Sequence, residues 1–141
     1  MWLTYALIAA LLWGLNYTLA EKILHSISPV TLLALEMLTG AIVFSLISYF
    51  TTIKKDMSLL ITEPKVLWLT LAEVVIVLVA SFFIVSSIRL KNATVAGVVE
   101  LIYPLFTILF TWVLFQENHL SSSVILGGLL IFFGVLIISL A

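Results

Sequence analysis

Five apolar stretches, each long enough to cross a lipid bilayer, leave this 141-residue chain almost no other way to fold: Trp2 to Ala20, Val30 to Thr51, Val66 to Ile88, Ala93 to Phe115 and Ser122 to Ala141. A spanning helix needs about 20 mostly apolar residues. A transmembrane barrel needs instead segments of about ten residues in which apolar and polar side chains alternate, and these stretches are apolar on every side. Only 9% of the residues are charged, against about 25% in a soluble domain, so little remains outside the spans from which to build anything else. The expected fold is an all-α integral membrane protein, a single five-helix transmembrane domain over residues 1–141. The first stretch lacks the basic flank and small-residue cleavage site of a signal peptide, and it is read as the first span.

The connections are short. EKILHSISP, TIKKDMSLLITEP, RLKN and QENHL join successive spans. Pro29 and Pro64 stand just before the second and third spans, where a missing N–H costs nothing because the first helical donors are unpaired in any case. The second connection alternates charged and apolar residues, which suits either an ordinary loop or a short amphipathic piece lying along the interface. With five spans the termini fall on opposite faces. Lys54, Lys55 and Lys65 then share the N-terminal face, and Lys22, Arg89 and Lys91 share the other. Cytoplasmic loops normally carry the excess of Lys and Arg, and here there is none. Either the sample of basic residues is too small to set orientation, or the chain inserts both ways.

Three carboxylates lie inside spans: Glu36, Glu73 and Glu100. An acidic residue at a helix centre costs about 2.5–3.5 kcal/mol on insertion scales, and none of the three has a basic residue in its own span. At 1.5 Å per residue, Glu36 and Glu100 each fall roughly 10 Å below the face on which their spans begin, and Glu73 lies at a matching depth below the opposite face. Ionisable groups so placed are candidates for a functional site, able to exchange protons. Helical spacing gives Glu100 a polar setting: Gly97 before it and Tyr103, Pro104, Thr107 and Thr111 after it fall at three- and four-residue steps on one face. Pro104 also deprives the carbonyl of residue 100 of its helical donor and predicts a kink. In the first span Ala9, Trp13, Asn16, Tyr17 and Ala20 form a comparable stripe. Gly14 beside it would let a neighbouring helix come close.

Catalysis is not indicated. His25 and His119 lie in loops without metal-ligand spacing, no nucleophile, base and acid converge in the sequence, and no phosphate-binding glycine loop is present. The chain has no cysteine, so thiolate metal sites and disulfides are excluded. Neither a metal, a cofactor nor a nucleic-acid partner is expected.

WGLNY (residues 13–17), followed by ISPVTLLALE at the start of the second span, resembles the opening of an EamA repeat of the drug/metabolite transporter superfamily. The stretch NATVAGVVELIYPLFTILFTWVLFQENHLSSSVILGGLLIFFGVLIIS is similar to the fourth and fifth helices of that repeat. The matching elements are the small residues Ala93 to Gly97, Tyr103-Pro104-Leu105, Glu117 followed by Leu120, and Gly128 and Gly134. The resemblance implies a transporter built of such repeats around a central cavity, with many members carrying two in one chain related by inversion. Substrate then binds near the midplane between repeats. A single-repeat chain implies a second half, either an inverted copy of itself, as in the four-helix small multidrug resistance branch, or an inverted homologous partner.

Where many relatives carry an arginine early in the second span, this chain has Glu36. Three carboxylates without an intramembrane base favour protons or cations. Taken with the resemblance, these carboxylates give the expectation of a proton-coupled transporter of a small, cationic or amine-bearing solute in a prokaryotic cytoplasmic membrane, a substrate class that departs from the family's ordinary ones. Glu36, Glu73 and Glu100 would bind substrate or protons, with Trp13, Asn16, Tyr17, Tyr103, Thr107 and Trp112 lining the cavity and its aromatics making cation–π contacts. Gly14, Gly127, Gly128 and Gly134 would serve helix packing; Gly127 and Gly134, seven residues apart, share a face that suits close contact either within the subunit or, as the preferred reading, across a dimer. Two rivals remain at this point: a non-transporting subunit that docks a Lys- or Arg-bearing helix, and a lipid flippase.

Overall fold

A computed structural model describes residues 1–118 and 120–140; His119 and Ala141, the last residue of the expected fifth span, lie outside the described residues. Those described form helices and no strand. They are α1 (Trp2–Ile23), α2 (Pro29–Thr51), α3 (Ile53–Thr62), α4 (Pro64–Leu90), α5 (Ala93–Glu100), α6 (Tyr103–Phe115) and α7 (Ser122–Ser139). α1, α2, α4, α7 and the α5–α6 pair are long and apolar enough to cross a membrane, which makes five spans among the described residues.

Most large apolar side chains on these helices are exposed. Such a surface suits a hydrocarbon solvent, where helices meet through small residues and polar contacts rather than by hiding Leu and Phe from water.

The chain divides into two compact units, residues 1–21 with 87–141 and residues 22–86. The second unit holds α2, α3 and most of α4. Pro29 opens α2 and Pro64 opens α4, as their sequence positions predict. The Ser28 hydroxyl caps α2 by accepting from the Thr31 N–H at 3.1 Å. The second connection is a true helix, α3, joined to its neighbours by Thr52 and Glu63 alone. Its apolar positions Ile53, Met57, Leu60 and Ile61 recur at helical spacing, with Lys55, Ser58 and Thr62 opposite, so it has the build of an interfacial helix. Leu24, Leu32 and Val85 are this unit's buried apolar residues.

The first unit contains most of α1, together with α5, α6 and α7. Its buried residues include Ala20, Ile88, Ala93, Ala96, Gly128 and Val135, four of them alanine or glycine. Small side chains at the contact let α5 lie close to its neighbours.

Candidate functional site

The fourth span is broken, and the break positions the site. Sequence spacing predicts one helix kinked at Pro104; instead α5 stops at Glu100 and α6 starts at Tyr103. The N–H groups of Leu101 and Ile102 reach back only three residues, to Val98 and Val99 at 3.2 and 3.3 Å. Pro104 has no N–H for the Glu100 carbonyl, so the helical ladder is interrupted at that point. The polar stripe expected along one continuous face is therefore divided, with Gly97 and Glu100 on α5 and Tyr103, Thr107 and Thr111 on α6.

α5 has only eight residues, too few to be stable alone, and α1 holds it at both ends. At the start, the Ala93 N–H donates to Glu21 Oε2 at 2.7 Å, while Asn92 Oδ1 accepts from the Val95 N–H at 2.8 Å. Two side chains thus satisfy donors that a helix start leaves unpaired. At the far end, the Tyr17 hydroxyl donates to Glu100 Oε2 at 2.5 Å. Between them the Tyr17 ring lies against Gly97, where an added Cβ would stand 3.2 Å from Cδ2 of the ring. Glycine is needed here for the close approach. Glu21 meeting Ala93 and Tyr17 meeting Glu100 also fixes α1 and α5 as antiparallel.

Tyr17 and Glu100 are half-buried. An ionised carboxylate only accepts hydrogen bonds, whereas a protonated one also carries a donor. The Tyr17 hydroxyl can serve Glu100 in both states, so proton gain need not release the side chain. Trp13 packs edge-on against Tyr17, with ring centroids 5.6 Å apart. Asn16 is half-buried beside them, and Trp13 is exposed.

The remaining expected site residues are placed differently. Glu36 is half-buried on α2 and Glu73 exposed on α4, both in the second unit. Tyr103 and Thr107 are exposed on α6, and the Thr107 hydroxyl donates to the Tyr103 carbonyl at 3.2 Å. Thr107 and Trp112 border a cavity of about 240 Å³ at the far end of α6.

The glycines separate into two kinds. Gly128 is buried, and a Cβ there would meet Leu105 Cδ2 at 2.7 Å, so it packs α7 against α6. Gly14, Gly127 and Gly134 have open space where a Cβ would stand. The expected packing role of these three is not filled within the described chain.

Sequence reasoning missed Glu21, which reads there as a loop charge. Asn92 directly before a run of small residues carried an N-cap signal, but nothing in the sequence could have paired the Ala93 N–H with Glu21, 72 positions away. Among the described residues, no three of His, Asp and Glu converge as a metal site.

Five apolar helices, one of them broken beside an intramembrane carboxylate, define a multi-pass membrane protein. The EamA-like transporter family model matches residues 1–140. The chain therefore belongs to the EamA-like transporter family, as a single repeat, and that family comprises membrane transporters of the drug/metabolite superfamily rather than enzymes. No curated protein and no solved structure matches it.

Proposed function

We propose that this chain is a proton-coupled secondary transporter of a small cationic or amine-bearing solute, acting as an antiparallel homodimer in a prokaryotic cytoplasmic membrane. The observation that carries the reading is the Glu100 carboxylate, held by the Tyr17 hydroxyl beside the break between α5 and α6. Discontinuous helices are where transporters expose backbone polar groups to a substrate or ion. A carboxylate there, without a basic partner in its own span, attracts a proton or a cation. Each can displace the other, which is the exchange a coupled transporter needs. Trp13, Asn16 and Tyr17 on α1 supply an indole, an amide and a phenol to the same region. Glu36 and Glu73 are proposed as further proton-exchanging groups, and Tyr103, Thr107 and Trp112 as cavity lining.

The second copy is supported by two features. The basic residues show no bias between faces, and Gly127 and Gly134 leave open room on α7. An inverted homologous chain would serve the same geometry.

Vesicle reconstitution tests the mechanism. An imposed proton gradient should drive uptake of an organic cation such as labelled choline, and Glu100→Gln should reduce that uptake at least tenfold. Uptake by the variant equal to that of the native chain would remove Glu100 from the mechanism. The absence of cysteine allows a topology test with a clean background. Single cysteines at Ser58 and, separately, at Lys91, both exposed and one span apart, should each be partly labelled in intact cells by an impermeant thiol reagent. Labelling of only one site would exclude the antiparallel homodimer and favour an inverted partner or a docking subunit.

A further inference from the structure

We infer that α3 is a recognition surface for anionic phospholipid, in which Lys54, Lys55 and Ser58 engage the phosphate of a negatively charged headgroup while Met57 and Ile61 dip into the acyl region beneath it. The inference needs only the membrane fold. It goes beyond the transport reading, since no part of the Glu100 site enters it.

The level of α3 in the bilayer follows from its neighbours. A single residue separates it from each adjoining span, Thr52 from α2 and Glu63 from α4, so a helix of ten residues cannot leave the membrane boundary. Tyr49 near the end of α2 and Trp68 near the start of α4 are 67% and 70% exposed. Such rings concentrate where hydrocarbon meets headgroups, and they bracket α3 on both sides. Lys65, also exposed, stands three residues before Trp68 on the same side of α4, and lysine is a further anchor typical of span ends.

The faces of α3 then sort by partner. At about 100° per residue, Ser58 lies between Lys54 and Lys55 in angle and one turn further along. Asp56 falls about 160° from Lys54 and about 100° from Lys55, and Glu63 is about 13 Å along the axis from Lys54. The Thr62 hydroxyl donates to the Ser58 carbonyl at 2.9 Å, which leaves Ser58 as the hydroxyl beside the lysines. On the apolar side Ile53 and Leu60 are half-buried, whereas Met57 and Ile61 are exposed. The chain thus covers part of that side and leaves the rest for lipid.

The charges run against the needs of the helix itself. A helix start carries partial positive charge and favours acids, and a helix end favours bases. α3 has Lys54 and Lys55 in its first turn, no base in its last turn and Glu63 at its C-cap, and Thr52 at the N-cap gives no side-chain hydrogen bond. Asp56 offsets only part of this. Two ammonium groups and unpaired backbone donors are therefore concentrated at one end, where an anion from outside the chain relieves them. A free anion would leave Met57 and Ile61 in water. A phospholipid meets both requirements with one molecule.

The test is native mass spectrometry of the purified chain in detergent with equimolar phosphatidylglycerol and phosphatidylcholine of identical acyl chains. Each lysine near an anionic surface is worth about fivefold. The native chain should retain phosphatidylglycerol at least fivefold over phosphatidylcholine, and the double variant Lys54→Gln with Lys55→Gln should lower that preference at least fivefold. Lys54→Arg with Lys55→Arg should restore it, Lys91→Gln should leave it within twofold, and excess inorganic phosphate should not displace the lipid. No preference in the native chain, an unchanged preference in the glutamine variant, loss in the arginine variant, equal loss in Lys91→Gln, or displacement by phosphate would overturn the assignment. Glu100→Gln should retain the native preference, so failure of the uptake test leaves this result to stand or fall separately.

Discussion

The two halves of the fourth span come from one apolar stretch and behave as opposites. α5 buries Ala93 and Ala96, presents Gly97 to an aromatic ring, and is hydrogen-bonded to α1 at both ends. α6 is more apolar and longer, yet buries none of its residues. Hydrophobicity does not decide which half is packed, because lipid solvates Phe and Leu as well as a neighbouring helix does. What anchors α5 is small residues that permit contact and polar groups that require it. The Leu101–Ile102 break thus separates an anchored half from one that meets α7 where Leu105 lies against Gly128. A substrate-dependent movement in this unit would be absorbed at the break.

The contrast is broken most severely at Gly97. A leucine there must occupy the space of the Tyr17 ring, and overpacking of this kind costs about 1–3 kcal/mol. Gly97→Leu should lower the unfolding midpoint in mixed micelles and abolish proton-driven uptake, since the ring cannot stay against the backbone and also reach Glu100. A leucine at the exposed Thr107 of α6 should leave the midpoint near native. Equal loss from both substitutions would show that α5 is no more firmly held than α6.

A smaller effect should separate the two partners at the α5 start. Asn92→Ala removes a local cap, worth about 0.5–2 kcal/mol. Glu21→Gln keeps a side-chain oxygen for the Ala93 N–H and removes only the charge. Amide exchange at residues 93–96 should accelerate in both, more strongly in Asn92→Ala, while α6 amides beyond Leu105 exchange as in the native chain. If exchange rises equally along the whole span, the break does not insulate its two halves.

Much of this architecture was legible in the sequence for a simple reason. Spans are set by length and hydropathy, and prolines at 29 and 64 mark helix starts through a local backbone rule. The break was half-visible. Pro104 announces a defect at Glu100, but a kinked helix and two separate helices satisfy the same residues, and tertiary contacts decide between them. The Tyr17–Glu100 bond lay beyond reach although both residues stood out, because sequence periodicity orders one helix and carries no register between two. Glu21 was hidden further, since a carboxylate near a span end looks like an ordinary interfacial charge. The glycines were legible only in part: spacing puts Gly127 and Gly134 on one face without saying what that face meets.

That last point can be sharpened by the smallest changes of all. Alanine is favoured over glycine in a helix by about 1 kcal/mol, and a Cβ at Gly127 or Gly134 meets nothing in the chain itself. Within an isolated subunit Gly127→Ala and Gly134→Ala should therefore be neutral or slightly stabilising. Gly128→Ala should be slightly destabilising, because its Cβ would meet Leu105 Cδ2 at 2.7 Å and that flexible side chain must move. If α7 meets a second copy through the open face, the order changes with protein concentration. The Gly127 and Gly134 variants would then dissociate more readily, seen as a shift to monomer in fluorescence-detected size-exclusion chromatography, while Gly128→Ala leaves the dimer unchanged. Gains in stability at 127 and 134 without any change in association would place the second copy on another face, because close helix contacts in membranes tolerate added methyl groups poorly.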